Sequence, residues 1–158
     1  MLSRREWLAV TCSGVAAALV TGAGEALALA ASKPVRFTVY KTPTCGCCRA
    51  WITHARTVFP DGDFKILDMN DLSEVKARLG IPASLQSCHT VVSGPYAFEG
   101  HVPADLIKRF LAERPKAIGL AVPGMPAGSP GMEVGGYKDP YDVLLFDKTG
   151  KTRVYAKR

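Results

Sequence analysis

The chain has 158 residues, 47% of them hydrophobic and 22% charged, with a formal net charge of +6. That length sets one compact domain as the expectation and excludes a large multidomain enzyme. The mixed composition excludes an intrinsically disordered chain, and five cysteines are too few for a disulfide scaffold.

The first thirty residues read as an address. Ser3-Arg4-Arg5-Glu6-Trp7-Leu8 is followed by an uncharged stretch to Gly24, and small residues in A-x-A spacing come at Ala26/Ala28 and Ala28/Ala30. A basic start, an apolar middle and such a cleavage signal define a secretory signal peptide over residues 1–30. Paired arginines beside an aromatic residue and a leucine look like a twin-arginine signal, which implies a bacterial protein. An uncleaved membrane anchor is the alternative. Cleavage would remove Cys12 and leave a mature chain with no permanent anchor. Its basic residues are scattered (Lys41, Arg49, Arg56, Lys65, Arg78, Lys108, Arg109, Lys138) with no basic stripe, so no nucleic-acid partner is expected.

Val35 to Tyr40 alternates and is rich in β-branched and aromatic residues, which predicts a strand. Thr42-Pro43-Thr44 turns the chain, and Cys47 to Phe59 carries Ala50, Trp51, Ala55 and Val58 at helical spacing. Phe64 to Met69 reads as a second strand, with Met69 in the core, and Leu72 to Leu79 as a short helix stopped by Gly80 and Pro82. Thr90–Ser93 and Tyr96–Glu99 read as two strands around Gly94-Pro95, and a third helix runs from Pro103 to Pro115. The order β-α-β-α-β-β-α is that of a thioredoxin-like α/β sandwich, expected over residues 31–117. From Gly119 to Gly136 lie six glycines and three prolines, which argues against helix or regular strand there. Val143–Phe146 and Thr152–Tyr155 then close as a β-hairpin. Residues 118–158 are thus expected as a Gly/Pro-rich C-terminal extension packed on the same domain.

The chemistry falls where the first strand becomes a helix. In Thr44-Cys45-Gly46-Cys47-Cys48, Cys45 and Cys48 have redox C-x-x-C spacing, and Cys47 is an additional thiol. A helix N-terminus stabilises a thiolate through its free N–H groups and dipole. Dithiol exchange needs two sulfurs, so three make more sense as a grip on a soft metal ion. Cys88 and His89 precede the third strand, where the fold brings that loop against the C-x-x-C turn. Strand alternation would point them to opposite faces, so that one of them misses the cluster. His89 could instead bond a backbone carbonyl. His101, just before the third helix, is a second candidate imidazole or an exposed residue near the helix start. His54, well past the cysteines on helix one, is read as surface. Met125 and Met132 lie in a Gly/Pro-rich loop that is a poor place to build core. Thioethers beside thiolates and imidazoles favour Cu(I) over zinc.

Four spaced motifs carry a resemblance: Lys41–Cys48, Ser87–Thr90, Glu99–Ala104 and Gly119–Met125 continuing through Gly128–Glu133. Together they resemble the CopG-type copper-resistance proteins, envelope proteins of Gram-negative bacteria. The resemblance implies a thioredoxin-like domain with a metal-binding C-terminal extension. It also implies several copper ions bridged by cysteine sulfurs, and a periplasmic role in detoxification and efflux. Carried onto matching positions, the metal ligands are Cys45, Cys47 and Cys48, then Cys88, His89, His101, Met125 and Met132. Four readings remain open: a copper oxidoreductase interconverting Cu(I) and Cu(II) or holding Cu(I) for export; a passive copper chaperone; a thiol-disulfide oxidoreductase using Cys45 and Cys48; and a structural zinc site. Its partners would be copper ions and an efflux system or another periplasmic copper protein, with the chain itself a monomer.

Overall fold

A computed structural model describes residues 33–158. The expected signal peptide, with Arg4, Arg5 and Cys12, lies outside the described residues. No helix among those described is long and apolar enough to cross a membrane.

The described chain is mixed α/β. Its elements are β1 (Arg36–Lys41), α1 (Gly46–Val58), β2 (Asp63–Asp68), α2 (Ser73–Arg78), a 3-10 turn at Ala83–Leu85, β3 (His89–Ser93), β4 (Tyr96–Gly100), α3 (Ala104–Glu113), β5 (Gly119–Val122), β6 (Asp142–Phe146) and β7 (Thr152–Lys157). The seven strands form one sheet in the order β2-β1-β3-β4-β5-β6-β7. β1/β2 and β4/β5 are parallel, and the other neighbouring pairs are antiparallel.

Period-two alternation divides the sheet's side chains between two apolar clusters. Val91, Phe98, Leu120, Val122, Val143 and Leu145 join Trp51 and Ile52 of α1 and Ile107 and Phe110 of α3. Ala97, Ala121 and Phe146 instead meet Ile81 and Leu85. Helix α1 forms because Cys48, Trp51, Ile52 and Ala55 fall on one buried face at i, i+3, i+4 and i+7. The indole of Trp51 donates to the Val102 carbonyl at 2.9 Å, which ties α1 to the start of α3. Helix α3 ends where Arg114 takes a left-handed conformation ahead of Pro115.

Three expectations need correction. Gly119–Val122 is a strand, buried throughout and paired in parallel with β4, despite its place at the head of the Gly/Pro-rich stretch. Glycine suits its first position because a Cβ on Gly119 would lie 1.5 Å from the Ala97 carbonyl oxygen. Ala50 is exposed on α1, and Ile52 takes the core position beside Trp51. Met69 follows the end of β2 at the sheet edge and is only half-buried, so it does not join the core.

Candidate metal centre

Cys45 caps the N-terminus of α1, and its sulfur accepts the Cys48 N–H at 3.2 Å. The helix geometry then puts Cys48 on the buried face and leaves Cys45 and Cys47 half-buried at the rim. Cys45 and Cys48 form a disulfide with Cα atoms 5.3 Å apart, while Cys47 and Cys88 are free thiols. The Cys47 sulfur is 3.5 Å from Cys45 and 3.9 Å from Cys88, and Cys88 is 3.6 Å from Cys48. The four sulfurs all lie within 4.8 Å of one another.

Cys88 also belongs to a second group with His89 and His101. Its sulfur is 3.3 Å from His89 Nδ1 and 3.1 Å from His101 Nε2. The expected alternation of Cys88 and His89 to opposite faces does not hold. Strand β3 starts at His89, so Cys88 belongs to the preceding loop and its side chain turns toward the same cluster. His101 donates from Nδ1 to the Pro130 carbonyl at 2.8 Å. A carbonyl only accepts, so the proton sits on Nδ1 and Nε2 faces Cys88 with a free lone pair. His89 Nε2 is buried with no hydrogen-bond partner among the described residues, the kind of orphan that a ligand satisfies.

Burial dominates the protonation states. It pushes the Cys88 thiol up to about 12, with the neighbouring Cys47 adding to the effect. Burial also holds His89 well below its ordinary value, helped by the charges of His101 and Lys76. His101 is lowered by burial against the opposing pull of the Pro130 carbonyl and Glu133. Without metal, burial therefore favours the neutral forms of Cys88, His89 and His101. A cation placed among them would favour the thiolate forms and release protons. Thiols with imidazoles, one of them orphaned, fit a soft transition-metal ion.

The Gly/Pro-rich loop braces this site. Gly131 packs on the first turns of α1, where an added Cβ would lie 2.7 Å from both the Cys47 carbonyl and the Trp51 amide. Met132, next to it, is half-buried. Met125 is 41% exposed, with a left-handed backbone (φ 48°). His54 is not a free surface residue: it is half-buried, and its Nε2 accepts the Ala104 N–H at 3.2 Å. It thus supplies the side-chain cap that Pro103 cannot give to α3.

Sequence reasoning missed Lys76 and Glu99, a buried ion pair beside Ser87. The available signal was Glu99 itself, a carboxylate inside an apolar strand one residue before Gly100-His101.

A family described as "Protein of unknown function, DUF411" matches residues 85–132, the segment that holds Cys88, His89, His101, Met125 and Met132. No curated protein matches this chain. Two solved structures do. "Copper resistance protein copG- Form 2" is 42% identical, with a TM-score of 0.74, over 79% of this chain and 98% of that one. "Copper resistance protein copG- Form 1" is 44% identical, with a TM-score of 0.71, at the same coverage. With that identity spanning nearly the whole of both solved chains, and a cysteine cluster able to bind metal, this chain belongs to the CopG copper-resistance family.

Proposed function

We propose that this chain takes Cu(I) as cargo in a cluster bridged by the thiolates of Cys45, Cys47, Cys48 and Cys88. His89 and His101 bind on the Cys88 side, and Met132 and Met125 add thioethers from the loop. The convergence of three further sulfurs and two imidazoles on Cys88 carries this reading. Bridging thiolates hold more than one ion, and soft donors favour Cu(I), while the imidazoles tolerate Cu(II). The protein works in the periplasm after twin-arginine export. There it interconverts the two copper states, exchanging one electron per ion with an external redox partner, or holds Cu(I) for an efflux system. The strand order β2-β1-β3-β4, with C-x-x-C at the start of α1, supports a thioredoxin-like core in residues 31–117. Residues 118–158 are then its metal-binding extension, ending in the hairpin of β6 and β7.

The Cys45–Cys48 disulfide supports a second reading, a dithiol oxidoreductase. It also ties the two readings together, because those sulfurs can ligate metal only after reduction. Metal analysis with optical and EPR spectra, before and after reduction, separates a redox protein from a passive chaperone. Cys45→Ser, Cys47→Ser and Cys48→Ser should each lose most of the bound copper. Full loading in Cys47→Ser would overturn the cluster, since dithiol exchange does not need that sulfur. Zinc is tested through the loop. Met125→Leu with Met132→Leu nearly preserves volume, so melting should stay close to wild type and zinc binding should be unchanged. Cu(I) affinity, read by anaerobic competition with a chromophoric chelator, should fall. Unchanged Cu(I) affinity would assign both methionines to packing.

A further inference from the structure

The carboxylate of Glu99 is fully buried, and the Lys76 side chain is 7% exposed. Besides their mutual ion pair, Glu99 accepts the Thr90 hydroxyl and the Ser87 N–H, each at 2.6 Å. Lys76 donates to the Ser87 carbonyl at 2.9 Å and to Thr90 Oγ1 at 3.1 Å. Both backbone groups of Ser87 therefore end on this one pair. The next residue is Cys88, the donor shared by both candidate metal groups.

The backbone around the pair is shaped to the same end. Gly100 has φ +72°, and an added Cβ would lie 2.7 Å from the Ser87 side chain and 2.5 Å from the Val122 carbonyl. Ser87 thus rests on bare backbone between Glu99 and His101. Two charges buried for stability alone are a poor device, because apolar residues of the same size often do as well or better. A pair that clamps the N–H and the C=O of one loop residue has a more specific use.

We propose that Lys76 and Glu99 are positioning residues that fix Ser87 and so set the Cys88 sulfur against His101 Nε2 and the Cys45–Cys48 turn. The inference rests on the reading of Cys88 as a copper donor. Its action is that of an outer partner that orients a ligand, whose loss typically costs about 10–100-fold in metal affinity.

The test uses the full chain with its thiols reduced. Lys76→Met with Glu99→Leu removes both clamps. Lys76→Met with Glu99→Gln removes the charges but leaves an amide oxygen for the Ser87 N–H. Maleimide labelling, resolved cysteine by cysteine by mass spectrometry, gives the rate at Cys88 relative to Cys45 and Cys47 without metal. General loosening would raise all these rates together, whereas lost positioning raises Cys88 alone. The Met/Leu variant should show a several-fold selective rise at Cys88 and about a 10–100-fold loss of Cu(I) affinity. The Met/Gln variant should fall between it and wild type in both. Wild-type labelling and affinity in a folded Met/Leu variant would overturn the proposal. Should that variant fail to fold, Met/Gln decides: a selective rise at Cys88 supports positioning, and a wild-type rate overturns it. If wild type and Cys47→Ser bind copper alike, the copper reading fails, but the labelling still decides whether Cys88 is positioned.

Discussion

His89, His101 and Cys88 give the folded protein a pH signature, with burial as its largest cause. Both imidazoles sit below their ordinary value of 6.5. The unfolded chain therefore takes up protons below about 6.5 that the folded chain refuses, and stability falls as the pH drops through that range. Cys88 acts at the other end. Its thiol stays protonated up to about 12 in the folded state, against an ordinary 9.0, so the unfolded chain ionises first and stability falls as the pH climbs past 9.0. The metal-free protein should thus be most stable between these limbs, as read from urea midpoints across pH. His101→Gln should flatten the acid limb, and an unchanged limb would remove that imidazole from the account. The residues that meet in this cluster were legible in sequence because Cys45, Cys47 and Cys48 fall within four positions and Cys88-His89 and His101 stand in short motifs. The Lys76–Glu99 pair was not, because its partners are 23 residues apart and meet only when α2 packs against the end of β4.

At the scale of elements, periodicity located the helices and the first four strands, and it failed at β5. A strand buried on both faces shows no alternation, and the short run Leu120-Ala121-Val122 is diluted by the glycines and prolines around it. What marks the strand is close approach at Gly119, which only the paired backbone reveals. Gly119→Ala should therefore cost about 3 kcal/mol or more, at the upper end for overpacking, because its Cβ would meet the Ala97 backbone rather than a movable side chain. Gly131→Ala acts differently. It adds strain at φ +87° and a clash with α1, worth about 1–3 kcal/mol. The loop can lift away from the helix, and His101 then loses its Pro130 brace. Thermal melts should show the larger loss for Gly119→Ala. Hydrogen exchange should show faster opening of residues 123–133 for Gly131→Ala, and equal exchange in the two variants would contradict this division.

At the scale of the whole molecule, residues 118–158 are built into the core and the site at once. Leu120, Val122, Val143 and Leu145 belong to the same apolar cluster as Trp51 and Phe110, and Phe146 closes the cluster on the other face with Ile81 and Leu85. Burying each such side chain is worth about 1.5–3 kcal/mol, while a whole domain is stable by only about 5–15 kcal/mol. Cutting the chain after Ala117 would forfeit all five and leave β4 as an unpaired, apolar edge open to aggregation. The same cut removes Pro130 and Gly131, which hold His101 and rest on the first turns of α1. The shortened chain should therefore show no cooperative thermal unfolding and should bind no copper cluster even with every cysteine of the site present. A cooperative melt with copper still bound would make residues 31–117 a self-sufficient domain and reduce the extension to an accessory. The packing argues the other way, because the strand that begins at Gly119 lies inside the sheet and the loop that follows it bears directly on the helix that carries the thiols.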